Sequence, residues 1–166
     1  MSEVTLTQQE MIFGCTVGLT RYIESLTNHR KTRFPERFPN QILLTHQLGA
    51  CAEVAFCKFA DKFYSPTLNH FGLPDVGTDI EVRWSNMNTL KVSPKDKNVY
   101  CISMSGRLPT FIYNGWIWSE EAKQEKWKGD PGDWGKPAYF VPIKFLNLGK
   151  IKAEGISVSQ TGGVNL

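Results

Sequence analysis

The 166-residue sequence is most informative at first through what it lacks. No stretch approaches the ~20 consecutive apolar residues of a membrane-spanning helix. The opening Met1-Ser2-Glu3-Val4-Thr5 has no basic-then-apolar pattern, so no export signal is expected. Four cysteines, Cys15, Cys51, Cys57 and Cys101, stand far apart with no CxxC and no Cys/His pair at zinc spacing. They read as reduced core thiols in a cytoplasmic protein. Neither a P-loop nor a GxSxG is present. His29, His46 and His70 are isolated, and His46 reads as a surface or cap residue. Glycine (14) and proline (9) are at ordinary levels, which excludes collagen-like and low-complexity classes. Charge is nearly balanced at a net +3, permitting a polyanionic partner without requiring one.

What is present suits one domain over 1–149 and a polar tail over 150–166. Thr7-Gln8-Gln9-Glu10 fits a capping box that opens a helix over 8–27. Met11, Cys15, Leu19, Tyr22, Ile23 and Leu26 recur along it near a 3.6-residue period, predicting a core-covering stripe. Two prolines then exclude a regular helix from 28–39. Arg30, Lys31, Arg33 and Arg37, interleaved with Phe34 and Phe38, read either as a solvated loop or as a strip for phosphates. A second helix is expected over 45–63. Its small-residue face of Gly49, Ala50, Cys57 and Ala60 carries Glu53, a carboxylate that must be paired or hold a cation there.

Strict alternation marks Asp79-Ile80-Glu81-Val82-Arg83-Trp84 as a strand with one apolar and one charged face. Further strands are expected over 90–93, 99–104, 111–116 and 139–145, with a short helix over 120–126. Trp116, Trp118, Trp127 and Trp134 read as core or interface packing, or as stacking surfaces for unpaired bases. The order is helix, helix, a run of strands, helix, strand. It predicts an α/β or α+β domain around one mixed sheet.

The stretch Pro74-Asp75 followed by Glu81-Val82-Arg83 carries the most chemistry. A charged strand face is costly to bury unless its charges pair or bind metal. Oxygen ligands of this kind suit Mg²⁺, which needs few carboxylates and keeps several waters. In this pattern the chain resembles the PD-(D/E)XK nuclease superfamily, including the mismatch-repair nicking endonuclease and its restriction-enzyme relatives. From about Leu48 to Phe145 it is also similar to small bacteriophage-type proteins of that superfamily. The resemblance implies a restriction-endonuclease-like α-β-β-β-α-β core with an added N-terminal helix. It also implies Mg²⁺- or Mn²⁺-dependent hydrolysis of DNA. Asp75 and Glu81 would be metal ligands and Glu53 an accessory helix-borne acid. The sequence departs from the pattern at Arg83, where the family usually has lysine, and arginine cannot relay protons. Lys91, on the next strand, is the replacement candidate, with Lys95 behind it as a phosphate contact. If Arg83 does not support catalysis, the same residues describe a non-catalytic DNA-binding module. A viral protein-interaction factor using its aromatic surface is a further alternative, and ordinary cross-strand ion pairs among Asp79, Glu81 and Arg83 on a solvent-facing sheet are the bland one. A homodimer is compatible with the sequence, which marks no dimer surface.

Overall fold

The computed structural model describes residues 2–28, 39–66, 74–130, 135–149 and 151. The basic strip (Arg30, Lys31, Arg33, Arg37), Trp134 and the polar tail from 152 lie outside the described residues. Strand β1 (Ser2–Thr5) is followed by helices α1 (Gln8–Thr27) and α2 (Pro39–Phe59). Strands β2 (Ile80–Trp84), β3 (Thr89–Val92), β4 (Tyr100–Arg107) and β5 (Thr110–Trp118) come next. A single helical turn α3 (Ser119–Ala122), β6 (Lys128–Gly129) and β7 (Ala138–Pro142) complete the order. The chain is α+β.

Its strands form two sheets where the sequence predicts one. The four-stranded sheet runs β1-β5-β4-β2, with β2 parallel to β4 and the other pairs antiparallel. The three-stranded antiparallel sheet runs β3-β7-β6. Alternation along β4 explains the layering. Ile102 and Met104 join the cluster built on α2, whereas Cys101 joins Leu90, Val92 and Val141 of the smaller sheet. Thus the four-stranded sheet is covered by helices on one face and by the small sheet on the other. A bulge at Ser103/Met104, opposite Gly115, shifts β5 between the two cores: Tyr113 serves the first and Ile117 the second. Gly115 has φ +122° there, and a Cβ would lie 2.8 Å from the Asn147 carbonyl oxygen.

Helix α1 has the predicted bounds, and both arms of its capping box form: Glu10 N–H donates to Thr7 Oγ1, and Thr7 N–H to Glu10 Oε2. Its buried face is not the predicted stripe. Gly14, Val17 and Gly18 face α2, so close that a Cβ on Gly18 would lie 2.4 Å from Gln47 Cα. Leu19, Ile23 and Leu26 point outward, 41%, 52% and 53% exposed. Helix α2 begins six residues before the predicted start because Pro39 is its first residue, where the missing N–H costs nothing. It ends early in a Schellman closure. Asp61 is left-handed at φ 52°, and Lys62 N–H donates to the Cys57 carbonyl. The helix predicted over 120–126 shortens to α3 and a 3₁₀ turn, because Ser119 Oγ accepts from Val99 N–H rather than capping a helix. The last strand stops at Pro142, which has no N–H to donate, and continues as a 3₁₀ turn.

Candidate functional site

An open cleft of about 340 Å³ lies between α2 and strand β2, and Arg21 of α1 reaches into its wall. Residues Thr45, His46, Gly49 and Glu53 of α2 line one side, and Asp75, Val82, Arg83 and Trp84 the other. The α2 residues share a face because they recur at three- and four-residue steps.

Glu53 is buried at 4% exposure and fully engaged. Arg21 Nη1 donates to its Oε1 at 2.6 Å and Nη2 to its Oε2 at 2.9 Å. The buried Tyr64 hydroxyl donates to the same Oε2 at 2.6 Å. Burial works against the Arg21 charge, but the hydrogen bonds to Glu53 and the negative charge of that carboxylate together outweigh it, and its pKa is raised. Burial and the neighbouring Glu53 charge drive the Tyr64 phenol upward, so it stays a donor.

Asp75 occupies the open edge of β2, where its Oδ2 accepts the outward Val82 N–H at 2.8 Å. That carboxylate replaces the strand neighbour which an edge residue lacks. Burial, then Glu53, then Glu81 push the Asp75 pKa well above its ordinary value. Ile80 and Val82 pack with α2, so alternation turns Glu81 and Arg83 toward the other face, beside Cys101. Arg83 Nη1 meets Glu81 Oε1 at 2.5 Å, and Nη2 donates to both Asp96 oxygens at 3.2 Å. Burial raises the Glu81 pKa despite Arg83, with Asp96 and Glu53 adding to the rise. Asp96 Oδ2 also accepts Ser93 N–H, fastening the loop after β3 to β2.

The three acids singled out by the sequence are therefore electrostatic neighbours with distinct placements: Glu53 on the helical side, Glu81 on the other side and Asp75 at the edge between them. Both glutamates hold an arginine. Among the described residues, no three His, Cys, Asp or Glu side chains form a metal-ligand group. Lys91 is on β3 of the small sheet, its Nζ 5.9 Å from the Phe140 ring centroid. Lys95 is exposed in the turn that Asp96 ties to Arg83. Asp79 has its own interactions and does not line the cleft.

Sequence reasoning missed Arg21, Tyr64, Asp96 and the cleft position of His46. Arg21 had a legible signal: it is the only basic residue of α1 and shares the Gly14–Gly18 face. His46 is half-buried in the cleft, its pKa lowered by burial and by Arg21, so it is neutral at pH 7. The cysteines are free thiols, and burial raises Cys51, Cys57 and Cys101 to about 12, which leaves them inert as nucleophiles. Among the described residues, no helix is long and apolar enough to cross a membrane. No family model matches this chain, and none of the curated proteins or solved structures gives a significant match.

Proposed function

We propose that the chain is a divalent-cation-dependent nuclease that hydrolyses DNA phosphodiesters at the edge of β2. One observation carries the reading. Among the described residues, the linked groups around β2 comprise four carboxylates, Glu53, Asp75, Glu81 and Asp96, and two guanidinium groups, Arg21 and Arg83. The formal excess is two negative charges, in a setting where burial already disfavours ionised Asp75 and Glu81. A divalent cation would cancel that excess. Mg²⁺ or Mn²⁺ fits hard carboxylate oxygens, and two protein ligands with several waters suffice for it. Asp75 and Glu81 would hold the ion, which supplies polarisation of a phosphate oxygen and a more acidic bound water. Glu53, clamped by Arg21 and Tyr64, would fix the negative field beside it. Arg83 would offset charge developing on the phosphate, and Trp84 offers a ring to a neighbouring base. The restriction-endonuclease-like core belongs to the same proposal. Its support is the sequence pattern of a helix acid, an edge acid and a strand Glu-x-Arg around β2, although Glu53 and Glu81 lie on opposite sides of that strand and each is paired with an arginine.

A second reading has its own observation. Arg83 stands where the family pattern has lysine and is already clasped by two carboxylates, while Lys91 belongs to the other sheet. A module that binds DNA without cutting it follows from that arrangement. One experiment separates the two. Supercoiled, single-stranded and branched DNA are incubated with Mg²⁺ or Mn²⁺ and wild type, Asp75→Asn or Glu81→Ala. Cleavage by wild type alone supports the nuclease. Salt-sensitive binding without cleavage supports the second reading. Neither cleavage nor binding overturns both.

A further inference from the structure

Helices α1 and α2 cross where no side chain holds their backbones apart. A Cβ on Gly14 would lie 3.0 Å from Cys51 Cα and 2.7 Å from its sulfur. Helix pairs ordinarily stand about 8–10 Å apart, axis to axis, because side chains separate them. The residue after Gly14 is Cys15, and its Sγ stands 3.8 Å from Cys51 Sγ. A disulfide needs neighbouring backbones, with Cα atoms within about 7 Å, and sulfurs about 2.05 Å apart. The glycine contact supplies the close backbones. The sulfurs then have to approach by about 1.8 Å, a movement within the sweep of two cysteine side chains. The two thiols differ in access. Cys15 is part-exposed, whereas Cys51 is fully buried. Burial and the neighbouring Cys15 push the Cys51 thiol up to about 12, so an outside reagent meets Cys15 first.

We propose that Cys15 and Cys51 form an oxidation site, a thiol pair that a hydroperoxide closes into a disulfide joining α1 to α2. With hydrogen peroxide, the Cys15 sulfur attacks one peroxide oxygen, the O–O bond breaks, and Cys15 becomes a sulfenic acid while the other oxygen leaves as water. Cys51 then attacks that sulfur. The S–O bond breaks, and the hydroxyl leaves with the Cys51 proton as a second water. Each sulfur gives up one electron, and one peroxide is reduced to two waters. Cys51 is inert towards an outside reagent, but here its target is held beside it and the reaction is intramolecular. The bond joins positions 36 residues apart, so it removes a large share of the freedom of the unfolded chain. It also ties together the two helices that carry Arg21 and Glu53, and so fixes the crossing on which their pairing depends.

Treating the reduced full chain with about one equivalent of hydrogen peroxide tests this. Free thiols are expected to fall by two from four, with the mass loss of two hydrogens and no link between chains on a denaturing, non-reducing gel. Cys15→Ser and Cys51→Ala should each abolish the bond within the chain, and Cys57→Ala should leave it intact. The Cys15 change falls at a part-exposed position, which keeps the test decisive if the buried Cys51 variant misfolds. Oxidation should raise Tm by roughly 8–15 °C, and dithiothreitol should reverse the rise. Four thiols retained, a bond between chains, or sulfinic acid at Cys15 in place of a bond overturns the proposal. So does an oxidised chain that melts no higher than the reduced one.

Discussion

Removing Arg21 should be the most damaging single change near the cleft. Arg21→Met keeps much of the side-chain volume but strips two charge-assisted hydrogen bonds, at 2.6 and 2.9 Å, from Glu53. The Glu53 side chain is only 5% exposed, so water cannot take the place of the guanidinium. Tyr64 remains as one donor, which is too little to solvate a carboxylate. Breaking one partner of a buried pair costs about 3 kcal/mol at the lower end of the usual range. In a chain of this size each kcal/mol moves Tm by roughly 2–4 °C, so a fall of about 6–12 °C is expected. Glu53→Gln should cost less, about 1–2 kcal/mol, because the Arg21 side chain is 20% exposed and keeps a route to water. The double variant Arg21→Met/Glu53→Gln should lie above Arg21→Met alone in stability. Urea denaturation of the four proteins gives the coupling energy, expected to exceed about 1 kcal/mol. Single losses that simply add to within about 0.5 kcal/mol would refute the argument that one clamped carboxylate organises this wall of the cleft.

Three further variants have outcomes set by the same structure. Because its folded-state pKa is raised above 3.8, Asp75 contributes stability while protonated, and that contribution is lost as pH rises from 3.8 through the raised value. Asp75→Asn keeps an acceptor for the Val82 N–H and should be at least as stable as wild type near neutrality without divalent cation. Denaturation across pH 4–8 checks this, and a wild type that gains on the variant as Asp75 ionises would contradict it. Gly18→Ala places a Cβ 2.4 Å from Gln47 Cα and 2.7 Å from the His46 carbonyl oxygen, so α1 and α2 must separate at a cost of about 1–3 kcal/mol. Gly49→Ala meets nothing within 4 Å and should stabilise by up to about 1 kcal/mol through helix propensity, both changes being readable by thermal melting.

Local signals along the chain define its elements more firmly than their partners. The capping box set the start of α1, and strict alternation located β2, because both depend on residues within a few positions of each other. Glu53 among small residues was legible as a carboxylate needing a partner, since an unpaired charge on a tightly packed helix face is costly whatever the fold. Which partner it takes was not legible: Arg21 lies 32 residues earlier, and only the crossing of α1 on α2 at Gly14 and Gly18 brings it within 2.6 Å.

The face that α1 buries was likewise decided by packing. Its larger apolar residues suggest the core stripe, yet two glycines permit a closer helix contact and turn Leu19, Ile23 and Leu26 to solvent. The residue types around β2 were determined by the sequence alone. Their division was decided by the tertiary structure, because β2 ends the four-stranded sheet as an edge strand. One carboxylate can stand beside that edge, while alternation sends Glu81 and Arg83 away from the helices.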